Sequence, residues 1–451
     1  MNYNDCLEYL DGLGQEIHGL HWGLETITEV LAGLGKPHLK YPTAIVAGTN
    51  GKGSTAAMLA NILRCAGYRT GLYTSPHLVR VNERIRLNGE EIGDEDFARA
   101  FSEVRQVVED LQGQRRLKQL PSFFEFLTAT AFHYFAQVGA NFVVLEVGMG
   151  GRLDATNVTQ PRVAVITNIG LDHVEFLGSS LAAIGHEKAG VIKPGTPVVS
   201  GCEEGEAAEV IRQRCEELGT ELFETNYFGW LWGLQSFQGL YLFNLCLDSD
   251  CFASLSSPLR GKFQVKNAVA AVTAAWRLSQ DGIQITRSAI VKGLQRTVWP
   301  GRLERILEHP LVLLDGAHNP AAARELAEFI QEELRGRRLR LVYGSMRDKA
   351  IGEISAILFP LAAEVYLTHP PVPRAANAEE ILAAARFRPA GLVIEPEPCL
   401  AVTRACQASS REDAVMVIGS LFLVGAVKKA LLEGRLQLLQ QPSPATAAGP
   451  G

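Results

Sequence analysis

The chain has 451 residues, a length that fits two or three domains and excludes a single small module. Its 43 Lys and Arg residues against 49 Asp and Glu residues give a formal net charge of −6, which argues against nucleic acid as a partner. Hydrophobic residues make up 47% and charged residues 20%, the composition of an ordinary globular protein with enough apolar side chains for more than one core.

Export, membrane insertion and disulfide bonds are not expected from this sequence. The first ten residues include Asp5 and Glu8 and have no apolar run, which predicts a cytoplasmic protein without a membrane partner. The longest nearly apolar stretch, residues 414–427, is too short to span a bilayer and predicts a core strand that runs into a helix. The eight cysteines form no CxxC pair, so we expect mostly buried thiols and neither disulfides nor a zinc site.

The first part of the chain predicts a helical lead-in followed by alternating strands and helices. Residues 1–40 form the lead-in, since apolar residues between Leu24 and Leu34 recur at spacings of three and four. An apolar strand over residues 43–47 comes next, then a glycine-rich turn and a helix over 56–66. The same alternation predicts a mostly parallel sheet wrapped by helices, with strands over 142–147, 162–167 and 196–200 and helices over 124–136 and 184–189.

The later part of the chain predicts hairpins and then a second sheet. Aromatic and Leu residues alternate over 221–257, a pattern typical of hairpins. A helix over 267–279 follows, and the turn Trp299-Pro300-Gly301 is the expected hinge to a second domain. Beyond the hinge, strands alternate with helices and predict a doubly wound domain, with strands over 311–314, 340–343, 365–368, 391–394 and 414–418.

The strongest local signal for a function is the segment Gly48-Thr-Asn-Gly-Lys-Gly-Ser-Thr55, between a predicted strand and a predicted helix. Backbone amides of such a turn can wrap a triphosphate, Lys52 supplies positive charge, and Ser54 or Thr55 can reach phosphate or Mg²⁺. Gly53 intervenes between Lys52 and Ser54, so the segment departs from the general P-loop pattern. A purely structural glycine turn is the alternative, and it is disfavoured because a lysine, hydroxyls and the strand-to-helix context coincide.

Together these features predict an α/β protein of two domains. Residues 1–300 are expected to form a P-loop-type domain with a mostly parallel sheet, which contains the helical lead-in and the phosphate loop. Residues 301–436 are expected to form a smaller Rossmann-like α/β domain, and residues 437–451 a disordered tail.

The phosphate loop resembles the ATP loop of the Mur ligase superfamily, and further motifs resemble signatures of the folylpolyglutamate synthase family, often bifunctional with dihydrofolate synthase. The resemblance covers about residues 20–430. It implies an ATP-dependent amide ligase that adds L-glutamate to folates, and also to dihydropteroate, through an acyl phosphate. The motifs are Thr74–Arg80 (TSPHLVR), Glu146–Asn157 (EVGMGGRLDATN), Leu171–His173 (LDH), His186–Gly190 (HEKAG), Pro300–Arg302 (PGR) and Asp315–Pro320 (DGAHNP).

The resemblance implies a Mg²⁺ site formed by Ser75, Glu146, His173 and Lys188, with a monovalent cation as a further cofactor. Ser75 and Glu146 are oxygen donors at the ends of predicted strands, where open sheets place their ligands. From the residues alone, Ser75 fits a turn before proline equally well, and His173 fits a hydrogen-bonded structural residue. The resemblance implies that Lys188 is carbamylated by CO₂, whereas the sequence alone favours an ordinary solvent-exposed helix lysine.

The same resemblance assigns the substrate contacts. One of Phe123 and Phe124 fits a core position as well as a pterin contact. Phe263 stands where family members often have His, which leaves the adenine packing open. Lys52, Lys188 and His318 are the implied catalytic residues. The implied contacts are, for ATP, Thr49, Asn50, Gly51, Lys52, Gly53, Ser54, Thr55, Asn267, Arg302 and Asp315; for folate or pteroate, Leu20, His21, Trp22, Ser122, Phe123, Phe124, Glu125, Leu153, Asp154 and Ala155; and for glutamate, His318 and Ser420.

Several functions stay open at this point. An enzyme that only extends the folate tail is one, because His21 stands where bifunctional members are expected to carry Asp. A Mur ligase acting on a UDP-linked peptide is another, but only 47 residues precede Gly48, too few for a UDP-binding domain. A regulatory module that binds ATP without joining substrates is a third. We expect a monomer that uses ATP, L-glutamate and a folate or dihydropteroate.

Overall fold

The computed structural model describes residues 1–14 and 23–438, and the chain divides into two compact units. The first comprises Met1–Gln235, Tyr241–Pro258 and Gln264–Val298, and the second comprises Ser236–Leu240, Leu259–Phe263 and the chain from Trp299 onward. Each unit contains its own sheet, so the predicted α/β class with a mostly parallel sheet followed by a smaller one is confirmed. No helix in the described ranges is long and apolar enough to cross a membrane.

Within the described residues, the first unit contains eleven α-helices and eleven strands, although the last two residues of the ninth strand and the first residues of the tenth strand and the tenth helix group with the second unit. The helices are α1 (Tyr3–Gly12), α2 (Glu25–Gly33), α3 (Lys52–Cys65), α4 (Asp94–Gly113), α5 (Phe123–Gln137), α6 (Val174–Leu177), α7 (Leu181–Ala189), α8 (Glu206–Glu217), α9 (Thr225–Phe228), α10 (Phe263–Gln280) and α11 (Arg287–Gln295). The strands are β1 (Thr43–Ala47), β2 (Thr70–Tyr73), β3 (Ile85–Leu87), β4 (Glu90–Glu91), β5 (Phe142–Glu146), β6 (Val163–Ile166), β7 (Val198–Ser200), β8 (Leu222–Glu224), β9 (Gly229–Phe237), β10 (Leu240–Leu247) and β11 (Asp250–Ser257).

Eight of these strands form one sheet in the order β4-β3-β2-β5-β1-β6-β7-β8. All pairs from β2 to β8 are parallel, and β3 and β4 add an antiparallel edge. The central strands β1 and β5 are buried along their whole length, which explains their unbroken apolar sequences. Because these strands are parallel, β2, β5, β1 and β6 present their carboxyl ends side by side, and that edge positions the candidate site.

Strands β9, β10 and β11 form a separate three-stranded sheet, which confirms the predicted hairpins over residues 229–257. The start of the predicted hairpin region is instead β8, which pairs parallel to β7 in the larger sheet. Cys246 and Cys251 face each other across β10 and β11 and form a disulfide, with their Cα atoms 4.0 Å apart. The expectation of no disulfide is therefore wrong here, because the hairpin register, and not a CxxC spacing, brings the two cysteines together. The free cysteines are the buried Cys6, Cys202 and Cys215 and the half-buried Cys65, Cys399 and Cys406.

The second unit is a six-stranded sheet in the order β12-β13-β17-β14-β15-β16, with five α-helices in its described part. Strand β12 is antiparallel to β13, and every other pair of neighbours in this sheet is parallel. The helices are α12 (Pro320–Glu333), α13 (Ile351–Leu358), α14 (Ala378–Ala384), α15 (Pro398–Gln407) and α16 (Leu421–Leu432). The strands are β12 (Glu304–Leu307), β13 (Leu311–Leu314), β14 (Leu339–Tyr343), β15 (Glu364–Leu367), β16 (Leu392–Ile394) and β17 (Ala414–Ile418).

Some element boundaries differ from the predicted ones. The described part of the lead-in contains two α-helices, α1 and α2, and residues 15–22 between them lie outside the described residues. Helix α3 begins at Lys52, four residues before its predicted start, so the phosphate-loop lysine is part of its first turn. The apolar stretch 414–427 is a strand followed by a helix, as expected. The predicted tail lies outside the described residues from position 439.

Candidate active site

Four neighbouring strands of the larger sheet lead into the loops that carry most of the predicted site residues. Ser75 follows β2, and Glu146 is the last residue of β5. Strand β1 leads into the loop Gly48–Thr55, and β6 leads into residues 167–173. These strands are adjacent in the order β2-β5-β1-β6, so the sheet itself gathers the four segments at one edge.

Polar residues after β6 fix the loop after β1. The Thr49 N–H donates to the Asn168 carbonyl oxygen at 2.9 Å, and the Asn50 N–H donates to Asn168 Oδ1 at 2.8 Å. The Thr167 hydroxyl donates to the Asn50 carbonyl oxygen at 2.6 Å. Sequence reasoning missed Thr167 and Asn168, although polar residues directly after a buried strand were a usable signal.

Gly51 brings the phosphate loop against helix α10. It is the N-cap of α3 with φ +80°, and a Cβ there would lie 2.2 Å from Asn267 Oδ1. Asn267 Nδ2 donates to Gln264 Oε1 at 2.9 Å, and Gln264 Nε2 donates to Ser54 Oγ at 3.3 Å. The structure thus brings Asn267 to the loop, and Phe263 in place of the family histidine leaves this chain of contacts intact.

Two lysines converge on one carbonyl oxygen of the loop. Lys52 Nζ donates to the Gly48 oxygen at 3.0 Å, and Lys188 Nζ donates to the same oxygen at 2.7 Å. Lys188 is only 4% exposed, and its burial together with the charge of Lys52 lowers its pKa to about 7. The expectation of a solvent-exposed helix lysine is therefore wrong. A lysine with this pKa is roughly half neutral at pH 7, the form that can react with CO₂.

The structure also brings Ser75 and Glu146 together. The Ser75 N–H donates to Glu146 Oε2 at 3.1 Å, and Glu146 is 5% exposed. His173 lies in the turn after β6 at φ +50°, and its N–H donates to Asp172 Oδ1 at 3.0 Å. Within residues 1–14 and 23–438, no group of three His, Cys, Asp or Glu residues is arranged to hold a metal. The donors nevertheless fit Mg²⁺, which prefers oxygen, keeps waters and takes further ligands from phosphates.

Asp154 organises the loop that follows β5. Its Oδ2 accepts hydrogen bonds from the Gly148 and Met149 N–H groups at 3.0 and 3.1 Å. Its Oδ1 accepts from the Thr156 N–H at 3.0 Å and also from the Thr156 hydroxyl. Burial raises the pKa of this carboxyl, and the four donors oppose that shift. These contacts give Asp154 a structural role, because they hold the loop between Gly148 and Thr156 in shape.

The predicted pterin residues Ser122 and Glu125 form a reciprocal helix cap. Glu125 Oε2 accepts from the Ser122 N–H and hydroxyl, both at 2.9 Å, and the Ser122 hydroxyl accepts from the Glu125 N–H at 3.3 Å. This capping box begins α5 and is buried. Leu153 is half-buried and Ala155 is buried, whereas the predicted residues Leu20, His21 and Trp22 lie outside the described residues.

The two phenylalanines at the start of α5 have different surroundings. Phe124 is 6% exposed and packs on Tyr73, with ring centroids 6.0 Å apart. Phe123 is half-buried, and the Arg84 guanidinium lies 5.3 Å from its ring centroid. Phe124 therefore belongs to the core, whereas Phe123 lies at the edge of that core and is only partly buried.

The second unit has its own polar cluster at the carboxyl edge of its sheet. Asp315 follows β13 directly and accepts from the Leu303 and Ala317 N–H groups, both at 2.8 Å. Burial raises the pKa of Asp315, and the nearby Arg302 charge opposes that shift. Arg302 itself donates to the Gly301 carbonyl oxygen at 3.0 Å.

His318 and Ser420 lie in adjacent segments, because the Gly419 N–H donates to the Ala317 carbonyl oxygen at 3.0 Å. His318 Nδ1 lies 2.8 Å from the Gly316 carbonyl oxygen, which can only accept, so this nitrogen carries the hydrogen. Nε2 of the neutral ring is then a hydrogen-bond acceptor. Ser420 Oγ accepts from the Phe422 N–H at 3.1 Å and caps α16, so its hydroxyl can still donate.

Comparison with known proteins identifies related sequences. Residues 46–275 match the Mur ligase middle domain family, and residues 301–421 match the glutamate ligase domain of Mur ligases. A dihydrofolate synthase/folylpolyglutamate synthase of Bacillus subtilis (strain 168) is 33% identical over 431 residues, which cover 95% of this chain and 99% of that protein. A protein of the same name from Escherichia coli (strain K12) is 35% identical over 376 residues, covering 83% of this chain and 84% of that protein.

Solved structures are similar over the whole fold. E. coli FolC in complex with DHPP and ADP superposes with a TM-score of 0.85 at 32% identity, covering 96% of this chain and 99% of that chain. Mycobacterium tuberculosis folylpolyglutamate synthase complexed with ADP superposes with a TM-score of 0.88 at 32% identity, covering 95% of this chain and 97% of that chain. These similarities confirm the resemblance on which the site residues were predicted.

Proposed function

Because this chain belongs to the folylpolyglutamate synthase and dihydrofolate synthase family of Mur ligases, it is an ATP-dependent ligase, and we propose that it joins L-glutamate to the carboxylate of a folate. The observation that carries the proposal is the loop Gly48–Thr55, onto which Lys52 and Lys188 converge beside the buried carboxylate of Glu146 in the neighbouring strand.

The proposed ATP site begins at this loop. Its backbone N–H groups at the start of α3 and the Lys52 ammonium bind the triphosphate, with the hydroxyls of Ser54 and Thr55 alongside. Asn267 contacts the adenine. In the second unit, Arg302 binds phosphate through its planar guanidinium and Asp315 binds the ribose.

Ser75, Glu146, His173 and carbamylated Lys188 would hold Mg²⁺ in this proposal. When bound, the ion supplies positive charge next to the phosphates. Carbamylation replaces the Lys188 ammonium with an anion, which suits a cation site better than a second positive charge beside Lys52.

The proposed reaction has two steps. The substrate carboxylate attacks the γ-phosphorus of ATP, which forms an acyl phosphate and releases ADP, while Lys52 stabilises the charge on the phosphoryl oxygens. The glutamate amine then attacks the acyl carbon, and phosphate leaves. His318 Nε2 accepts the proton that the amine loses, which is consistent with its acceptor state. The chain needs no covalent nucleophile, because positioning and charge supply the catalysis.

For the folate, the proposed contacts are Phe123, Leu153 and the segment Leu20–Trp22. Phe123 and Leu153 are both half-buried side chains of the first unit. Because the carboxylates of Glu125 and Asp154 are already bonded to backbone groups, we propose that they shape the pocket and contribute less to pterin binding.

The first experiment measures ADP release by the purified protein with Mg²⁺ and glutamate, with dihydropteroate or tetrahydrofolate as the carboxylate substrate. Release with both indicates a bifunctional ligase, and release with tetrahydrofolate alone indicates a tail-extending synthase. Release with neither substrate contradicts the proposal and favours a regulatory module or another amino-acid ligase. Gel filtration with light scattering, against a chain mass of 49.0 kDa, tests the proposed monomer.

Substitutions test the site assignment. Lys52→Ala and Glu146→Ala are expected to lower turnover on the order of 100-fold or more, because each removes charge from the phosphoryl-transfer site. Lys292→Ala, at an exposed lysine of α11, is the matched control and should leave turnover unchanged. Turnover within a few-fold of the unsubstituted enzyme in either site variant would contradict the assignment.

Carbamylation of Lys188 has a spectroscopic test. With ¹³C-labelled bicarbonate, we expect a carbamate carbon signal that Lys188→Met lacks. Because the reacting form is the neutral amine and its pKa is about 7, the signal should grow as pH rises from about 6 to about 8. Lys188→Ala turnover should recover in part when short carboxylates are added. An unmodified Lys188 at saturating bicarbonate excludes this role.

A further inference from the structure

The loop after β15 places the positively charged side chain of Arg374 at the same sheet edge as Ser420. It folds back over the end of β14, where the Ala376 N–H donates to the Ser345 carbonyl oxygen at 2.9 Å. The Arg347 N–H donates to the Arg374 carbonyl oxygen at 3.1 Å. These backbone bonds fix the position from which the Arg374 side chain extends.

The guanidinium of Arg374 lies over an aromatic ring at this edge. Its Cζ is 5.1 Å from the centroid of Phe422, whose N–H is bonded to Ser420 Oγ. The side chain is 29% exposed, and its ion pair with Asp348 is long, at 4.0 Å. An ion pair of this length contributes little to stability, so the guanidinium can still form hydrogen bonds with a ligand. A guanidinium oriented by an aromatic face presents two parallel donors, the geometry that a carboxylate matches.

This inference rests on the proposed function: we propose that Arg374 binds the side-chain carboxylate of the incoming glutamate and thereby selects a dicarboxylic amino acid. The strand order β13-β17-β14-β15 places His318, Ser420 and Arg374 in that sequence along one edge. Glutamate carries its amine next to the α-carboxylate and its second carboxylate at the far end. With the amine at His318 and the α-carboxylate at Ser420, the second carboxylate extends toward Arg374.

Steady-state kinetics with glutamate and glutamine as alternative amine substrates test this role. In Arg374→Ala, the KM for glutamate should rise about 10- to 100-fold, since a charge-assisted hydrogen bond is lost. The kcat and the KM for ATP should change little, and the preference for glutamate over glutamine should fall by a similar factor. Arg374→Lys should restore part of the preference. Arg404→Ala, at an exposed arginine paired with Glu395, is the matched control.

The outcomes separate this inference from the proposed function. If the unsubstituted enzyme shows no glutamate-dependent ADP release, the proposed function fails and the inference with it. If the enzyme is active but Arg374→Ala keeps its preference for glutamate over glutamine, only the inference fails. A loss of kcat without a rise in the KM for glutamate also overturns it, because that result indicates a structural role.

Discussion

At Gly51, any residue with a side chain would clash with Asn267. Its φ of +80° is in the left-handed region, and the missing Cβ leaves room for the Asn267 side-chain oxygen. Both constraints act at the first turn of the helix whose N–H groups face the proposed triphosphate. The conformation of the loop and the position of Asn267, its proposed adenine contact, therefore both depend on the absence of a Cβ atom at Gly51.

We expect Gly51→Ala to weaken ATP binding about tenfold or more, because the new Cβ displaces Asn267 and strains the backbone. Isothermal titration with ATP measures the effect. Gly67→Ala is the matched control: Gly67 has φ +96°, and apart from its chain neighbours no described residue lies within 4 Å of the place its Cβ would take, so this variant reports backbone strain alone. Equal ATP affinity in the two variants would show that the Asn267 contact is unimportant.

At this scale the sequence locates reactive residues better than it describes their surroundings. The position of Lys52 followed from its motif, and the neighbouring strands place Ser75 beside Glu146. The burial of Lys188 was not predictable from its helix, because its partner, the Gly48 carbonyl oxygen, is 140 residues away in sequence. Such a long-range contact leaves no local pattern.

Among the structural elements, the loop after β5 owes its shape to one carboxylate. Asp154 binds donors at both ends of the segment, from Gly148 to Thr156, and it does so in a buried environment. Unpaired buried N–H groups are costly, so the loop cannot keep this shape without acceptors there.

Asp154→Asn should lower the free energy of unfolding by about 2–3 kcal/mol, since an amide nitrogen would face N–H groups that need an acceptor. Urea denaturation followed by circular dichroism measures the change. Asp110→Asn, at an exposed position of α4, should alter stability by less than about 0.5 kcal/mol. A similar small effect of Asp154→Asn would contradict the structural role.

Elements with continuous apolar sequences were predicted best. Strands β1, β13 and β17 have the predicted bounds because burial on both faces produces unbroken apolar runs. The 20-residue helix α4 was not predicted, although Phe97, Phe101, Val104, Val108 and Leu111 recur at helical spacing and are buried. Strands β2 and β3 are too short, at four and three residues, for a period to be visible.

Each of the two units contains a hydrophobic core of its own among the described residues. One core includes Phe126 and Leu145 in the first unit, and the other includes Leu341 and Met416 in the second unit. Two sheets with their own cores are expected to lose structure as distinct cooperative units. The sequence indicated this division through its two series of strands, but it could not indicate which side chains complete each core.

Scanning calorimetry should therefore resolve two unfolding transitions. A ligand that binds the phosphate loop stabilises the native state, so ADP at about 100 times its Kd should add about 2.7 kcal/mol to the stability of the ligand-binding state. Lys52→Ala, measured under the same conditions, should show a smaller shift. A single transition that ADP moves as a whole would contradict independent unfolding of the two cores.

The antiparallel end of the eight-stranded sheet has a consequence for solubility. Strand β4 consists of Glu90 and Glu91, both exposed, and it pairs with β3, which in turn covers the edge that the longer β2 would otherwise present. An open edge strand is a template on which other chains can add and grow into fibrils. Two adjacent negative charges on a two-residue strand repel an identical edge and offer few backbone groups to pair. The molecule thus protects its largest sheet from aggregation at the end opposite β8.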